Sequence, residues 1–196
     1  MTLDAGARGR ILEDCFSIIF RAGGVRLPFI KIPQGGGTMP SSLNIEKSTA
    51  TVVEVPGGDE EVPGSIQWDS NIDTLVFIPL NRQYKGVDFI IARKTNRAVY
   101  IYFIQCTIQR PQDHGICESE LYGRWVDLVE SSTQVQQIHS FLVYLTPHGA
   151  NLSLPGAQSI ADFFGRKTKL HVQFAQIQTG HALLEKVRNR YPREYS

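Results

Sequence analysis

The chain has 196 residues, 42% of them hydrophobic and 20% charged, and a formal net charge of +1. This size and composition suit a single folded domain over residues 1–196 and exclude a largely disordered chain. No apolar run reaches the roughly 18–20 residues needed to cross a bilayer, and residues 1–10 lack a signal-peptide pattern, so we expect no membrane contact and no secretion.

The first half of the sequence predicts one helix followed by strands. Apolar residues recur at helical spacing from Ile11 to Ile19, which predicts a helix over Arg8–Arg21 that ends at Gly23-Gly24. Five later runs are apolar and largely β-branched or aromatic, which predicts extended strands. These runs are Val25–Ile30, Thr49–Val55, Thr74–Leu80, Val87–Ala92 and Ala98–Ile108.

The last two of these runs are joined by the polar segment Arg93–Arg97, which predicts a β-hairpin. The run Ala98–Ile108 carries apolar residues at both odd and even positions, a pattern typical of a central strand that is buried on both faces.

The second half of the sequence predicts helices and strands in alternation. A helix is expected over Glu118–Ser140 with a break at Ser131-Ser132, then a short buried strand over Phe141–Leu145. Lys169–Ala175 alternates in polarity and is interpreted as an edge strand, and Gln178–Tyr191 as a last helix. Strands interleaved with helices indicate an α/β layered sheet.

The distribution of charge indicates a class of binding partner, and the number of cysteines indicates a cellular compartment. Residues 74–110 hold six basic residues and one acidic residue, and residues 151–196 seven basic and three acidic. These bands can form a basic face that attracts a polyanion such as DNA, although alternating charge also occurs on any solvated surface. Three cysteines without CxxC spacing do not form a disulfide framework, so we expect a reducing intracellular compartment.

The most informative feature for chemistry is a carboxylate at an otherwise apolar strand. Asp88 lies between Val87 and Phe89, and a charge beside a buried strand is costly unless it is paired or binds a metal. In the next strand, Gln105 and Thr107 share one face, and hairpin pairing would bring Gln105 close to Asp88. Such an oxygen cluster suits Mg²⁺. The alternative is that Asp88 caps a strand near the surface.

These residues resemble a known family. An aspartate, a short hairpin and then Glu-x-Lys is the signature of the restriction-endonuclease-like PD-(D/E)xK nucleases. The segments Gly86–Ile91 and Tyr102–Thr107, followed by His114, are similar to the C-terminal domains of crinkler effectors and to retrotransposon hot spot proteins. Those families also carry a glutamate on a helix before the sheet, a place that Glu13 fits. The resemblance covers roughly residues 8–147.

The resemblance implies a restriction-endonuclease-like mixed sheet flanked by helices, and a site formed by five residues. Asp88, Glu13 and Gln105 would hold Mg²⁺ for hydrolysis of a DNA phosphodiester, and His114 would act as a general base or contact the phosphate. Thr107 stands where the family has its lysine, so the positive charge that helps to activate water is missing from that position.

The expected partners follow from the same resemblance. Lys85, Arg93, Lys94 and Arg97 are interpreted as phosphate-binding residues that flank the site. The leading hypothesis is a restriction-endonuclease-like domain of a crinkler-type protein that acts on DNA in the nucleus or cytoplasm of a host cell, with metal-dependent nuclease activity left open. Two alternatives remain open: a catalytically inactive module that binds DNA or a host protein, and an α/β interaction module unrelated to nucleases.

Overall fold

The structure is a computed structural model. It describes residues 5–32, 39–58, 61–81, 84, 87–106, 119–133, 135, 137–147 and 172–179. Two helices and eight strands are found in these residues. In chain order they are α1 (Ala5–Ala22), β1 (Val25–Ile32), β2 (Met39–Ile45), β3 (Ala50–Val55), β4 (Thr74–Pro79), β5 (Phe89–Lys94), β6 (Ala98–Cys106), α2 (Ser119–Ser131), β7 (Gln137–Pro147) and β8 (Val172–Thr179).

The strands form one mixed sheet in the order β2-β1-β8-β7-β6-β5-β4-β3. Strands β4, β5 and β6 are antiparallel neighbours, β7 is parallel to β6, and β8 is parallel to β7. The predicted hairpin is therefore confirmed in its described part, with Phe89 paired to Ile104 and Lys94 to Val99. Strand β6 lies between β5 and β7, as its apolar residues on both faces predict.

Each face of the sheet carries one helix and one apolar core. Helix α1 buries the stripe that contains Phe16 and Phe20 against the face formed by Phe89, Ile91 and the even-numbered residues of β6. Helix α2 buries Trp125 against the opposite face, where its ring centroid lies 4.9 Å from that of Phe77. A mixed α/β sheet flanked by helices is thus established, and the helix predicted over Arg8–Arg21 corresponds to α1.

The sheet is curled rather than open. Strands β2 and β3 occupy its two edges, yet four residues, 46–49, connect them. A link of this length spans at most about 17 Å between Ile45 and Ala50. Leu43 and Ile45 of β2 consequently pack in the same core as α1, so the sheet curves around this helix.

Two predicted elements differ from the structure, and one strand has no predicted counterpart. The helix expected to reach Ser140 ends at Ser131, where hydroxyl groups of Ser131, Ser132 and Thr133 donate to carbonyls of the last turn, and Gln137–Ser140 belong to β7. Serine and threonine hydroxyls compete with helix continuation in this way. The strand β2 was not predicted.

The predicted edge strand Lys169–Ala175 is also corrected. Its described counterpart, β8, lies between β1 and β7. Alternating polarity reports how each face is exposed and does not report a strand's place in the sheet order. The first two residues of the predicted final helix, Gln178 and Thr179, belong to β8. The rest of that predicted helix lies outside the described residues. Among the residues described, no helix is long and apolar enough to cross a membrane.

Candidate functional site

The candidate site is a cavity at one end of the sheet, between α1 and the segments that enter β5 and leave β4. Helix α1 contributes Glu13, Ser17 and Arg21 at one-turn spacing, which places them on a common face, together with the adjacent Asp14. The residues that line the cavity are Glu13, Asp14, Ser17, Arg21, Ile78, Pro79, Leu80, Asn81, Tyr84, Val87, Asp88 and Phe89. Two carboxylates that the sequence singles out, Glu13 and Asp88, therefore face the same space.

The backbone fixes Asp88 at the mouth of the hairpin. Its amide donates to the Ile104 carbonyl at 2.8 Å, and its Oδ2 accepts a hydrogen bond from the Cys106 amide at 2.5 Å. Asp88 lies in a bend, one residue before β5 begins. The Asp88 carboxylate thus accepts the hydrogen bond that a backbone carbonyl would accept in a regular β5–β6 ladder. This hydrogen bond restricts the side chain to one rotamer.

Burial and charge together make this carboxyl hard to ionise. Removal from water, followed by the negative charge of Glu13, raises the pKa of Asp88 from 3.8 to about 7, although the hydrogen bonds from Cys106 act in the opposite direction. Burial also raises the pKa of the Cys106 thiol well above its usual value, with further contributions from Asp88 and Glu13. The effect of Glu13 on both groups shows that these three side chains are electrostatic neighbours.

The positions of the predicted ligands are only partly those expected. Gln105 is opposite Asp88 if the β5–β6 register is continued by one residue. Strand alternation directs its side chain to the face of Phe103 and α2, whereas Ile104 and Cys106 face α1. Gln105 is half-buried and is not part of the cavity lining. The bend at Asp88 is the reason, because it turns the carboxylate out of the regular alternation that would have paired it with Gln105.

The predicted cations do not surround Asp88. Arg93, Lys94 and Arg97 lie at the far end of the β5–β6 hairpin, and the five residues from Asp88 to Arg93 span about 17 Å of strand. These three residues therefore lie at the end of the hairpin away from the cavity. Thr107, His114 and Lys85 lie outside the described residues.

Sequence reasoning missed the cation that does line the cavity. Arg21 follows Ser17 by one helical turn and Glu13 by two, and its guanidinium donates to the Glu54 carboxylate at 2.5 Å and to the Ser17 hydroxyl at 3.4 Å. The i, i+4, i+8 spacing of Glu13, Ser17 and Arg21 was the available signal. The apolar stripe of the helix gives no such signal, because Arg21 lies outside that stripe.

The donor set can be compared with what a metal requires. Carboxylate oxygens are suitable ligands for Mg²⁺, and Glu13 with Asp88 offers two such groups in one half-buried space. In the part of the chain that the structure describes, no three His, Cys, Asp or Glu side chains are grouped closely enough to hold a metal ion. Two carboxylates are compatible with a magnesium site only where water and substrate oxygens complete the coordination.

Comparison with known proteins identifies no relative: no family model, no curated protein and no solved structure matches this chain. The interpretation of the cavity therefore depends on its own residues.

Proposed function

We propose that this chain is a restriction-endonuclease-like, nucleic-acid-acting domain of crinkler type, whose Glu13 and Asp88 form a Mg²⁺-dependent phosphodiester hydrolysis site. We place its activity inside a cell, in the nucleus or cytoplasm. The observation that carries the proposal is the raised pKa of Asp88, about 7, in a cavity shared with Glu13. Strongly perturbed carboxylates in a cleft are frequent at functional sites.

The electrostatics support a cation in preference to a proton at this place. Two carboxylates that share a poorly solvated space repel each other, and Asp88, with a pKa of about 7, is partly protonated near neutral pH unless a positive charge is supplied. A divalent cation held by Glu13 and Asp88 would remove this repulsion. When bound, it would polarise a phosphate oxygen and lower the pKa of a coordinated water.

The remaining residues would position the substrate and the ligands. The Cys106 amide holds the Asp88 carboxylate in one orientation, so this ligand is organised before any ion binds. Arg21 lines the cavity and would face a phosphate entering it, and its contact with Glu54 restrains its position. Gln105 is not needed for this arrangement, because its side chain is directed to the other face of the sheet.

The second candidate is a catalytically inactive module that binds DNA or a host protein through the same fold. One observation favours it. Thr107 replaces the family's lysine, and Arg93 and Lys94 are about 17 Å of strand away, so they do not supply the missing charge. Arg21 is the cation that lines the cavity among the described side chains. Activity without the motif lysine therefore depends on whether Arg21 can act in its place.

Calorimetric titration with Mg²⁺ at pH 8 tests the site. We expect the wild type to bind the ion, and Asp88→Asn and Glu13→Gln each to weaken binding by about tenfold or more, because each removes one ligand charge. Asp127→Asn is the matched control, because it removes an exposed carboxylate on α2, whose apolar residues pack on the other face. Binding that survives both site substitutions would contradict the proposal.

Cleavage of supercoiled plasmid DNA and of single-stranded DNA distinguishes the two candidates. The enzyme reading predicts cleavage that requires Mg²⁺ or Mn²⁺, stops with a chelator, and is lost in Asp88→Asn. If the wild type binds Mg²⁺ without cleaving, Thr107→Lys restores the missing cation. Gain of Mg²⁺-dependent cleavage in that variant would identify a decayed nuclease and support the inactive module.

A further inference from the structure

A ladder of aromatic rings lies on the α1 face of the sheet, at the end opposite the carboxylate cavity. His139 of β7 stacks on Tyr100 of β6 with ring centroids 5.0 Å apart and planes inclined by 22°. Tyr100 continues to Phe141 at 6.4 Å and 24°, and Phe141 to Tyr102 at 5.1 Å and 16°. The planes of these four rings, which belong to two parallel strands, are thus nearly parallel to one another.

The ladder changes from buried to accessible along its length. Phe141 and Tyr102 are 1% and 6% exposed, whereas Tyr100 and His139 are half-buried. The inner rings are therefore part of the core and hold the orientation of the outer ones. The outer pair is partly accessible and its stacked rings are held in a fixed orientation, so little conformational entropy is lost when another flat group stacks on them.

The hairpin that contains the accessible end of the ladder also carries three cations. Arg93 is the cross-strand partner of Tyr100, on the same face, and its charge lowers the pKa of the neighbouring Tyr102, which burial raises to about 12. Lys94 alternates to the other face, where its Nζ lies 5.1 Å from the centre of the Trp68 ring. Arg97 lies exposed in the hairpin turn. The hairpin tip therefore carries three positive charges and has aromatic rings on both faces.

We infer that the hairpin tip, with Tyr100, His139 and Arg93 as its centre, is a binding surface for single-stranded nucleic acid, in which an unpaired base stacks on the outer rings. Arginine and lysine would contact the phosphates on either side of that base. The inference rests on the proposed function for its partner class, but it concerns a surface about 17 Å of strand from Asp88 and needs no metal.

The positive charges and the ring geometry of the hairpin tip favour single-stranded nucleic acid as the binding partner. A polyanion complements the three cations, and its bases offer flat faces that stack on aromatic side chains without regard to sequence. In duplex DNA the bases are already stacked on each other, so their faces are not available to Tyr100 or His139. Preference for unpaired strands therefore distinguishes stacking from purely electrostatic attraction, which the duplex would satisfy equally well.

Fluorescence anisotropy in the presence of a chelator tests the surface. The probe is a labelled oligothymidylate of about twelve nucleotides, compared with its duplex at equal salt. We expect tighter binding of the single strand, a loss of about tenfold in Tyr100→Leu, retention in Tyr100→Phe, and a loss in Arg93→Gln. Arg124→Gln on α2 is the matched charge control and should bind as the wild type does.

The assay is carried out in the Asp88→Asn background, so that its outcome is independent of cleavage. Absence of Mg²⁺-dependent cleavage by the wild type, with retained single-strand preference in the Asp88→Asn protein, refutes the nuclease and leaves this surface in place. Equal or tighter binding of the duplex, or wild-type affinity in Tyr100→Leu, would overturn the inference. If Tyr100→Leu lowers the melting temperature, its loss of binding could result from partial unfolding. The affinities of His139→Leu and Arg93→Gln then provide the test, and wild-type affinity in both variants would overturn the inference.

Discussion

Replacement of Asp88 by asparagine should stabilise this protein at alkaline pH while removing the proposed function. In the folded state the pKa of Asp88 is about 7, compared with 3.8 for an ordinary aspartate. Between these values the folded chain holds a proton that the unfolded chain has lost, so stability falls as the pH rises through that window. Asparagine has no proton to lose, and it can still accept the hydrogen bond from the Cys106 amide.

The size of the effect follows from the pKa shift. About three pH units correspond to at most about 4 kcal/mol of unfolding free energy above pH 7. Asp88 is half-buried, and local relaxation admits water to an ionised carboxylate, so we expect about 1–3 kcal/mol. For a chain of this length, that is a rise of about 2–12 °C in melting temperature. At pH 4 the two proteins should be nearly equal in stability.

Thermal unfolding followed by circular dichroism between pH 4 and pH 8 measures this difference. Glu13→Gln should give a smaller gain than Asp88→Asn, because burial contributes more to the raised pKa than the charge of Glu13 does. The two gains should not add, since the residues interact directly. Asp127→Asn controls for a general change in net charge. Parallel pH profiles of wild type and Asp88→Asn, with no gain at pH 8, would refute the electrostatic description of the cavity.

Three further predictions concern backbone strain, packing and salt. Gly23 has φ +61°, and a Cβ at this position would lie 3.2 Å from the Lys47 Cα. Gly23→Ala should therefore lower the free energy of unfolding, measured in urea, by about 1–2 kcal/mol. Gly58→Ala is the control and should be nearly neutral, because a Cβ at Gly58 would meet no atom within 4 Å. Trp125→Phe should cost about 1–3 kcal/mol in the same measurement, because it removes core volume and the indole bond to the Tyr84 hydroxyl at 2.9 Å. Duplex DNA should bind weakly, in the roughly micromolar range or worse, and the affinity should fall steeply between low and moderate salt. An affinity independent of salt would exclude phosphate contacts.

The central elements of the fold were predictable because their signals are local. The stripe of α1 and the two-sided apolar run of β6 each report burial directly, and both correspond to elements of the structure. The strand β2 was missed because Met39–Ile45 contains proline and two serines, which weaken any strand signal. Its place in the sheet is set by seven residues of pairing with β1, a contact that no local pattern encodes.

The site was predictable in its residue types and not in its geometry. An aspartate beside apolar residues correctly indicated an unusual carboxylate, and the family resemblance selected Glu13 as its neighbour. Regular alternation then assigned Gln105 to the same face, and a single bend before β5 invalidates that step. Arg93 and Lys94 are close to Asp88 in sequence but lie at the opposite end of a strand, where sequence proximity no longer implies a shared site.

That separation gives the hairpin two ends with opposite chemistry. At one end, the carboxyl groups of Asp88 and Glu13 share a cavity with Arg21, whose charge is already paired with Glu54, so a phosphate is poorly received there until a further cation binds. At the other, Arg93 and Lys94 attract phosphate without any cation. A polyanion that contacts this domain would therefore first be held at the basic tip, through an interaction that salt weakens, and would reach the carboxylates only when they are neutralised. The dependence of binding on salt and of hydrolysis on Mg²⁺ should consequently be separable, because each belongs to a different end of the same two strands.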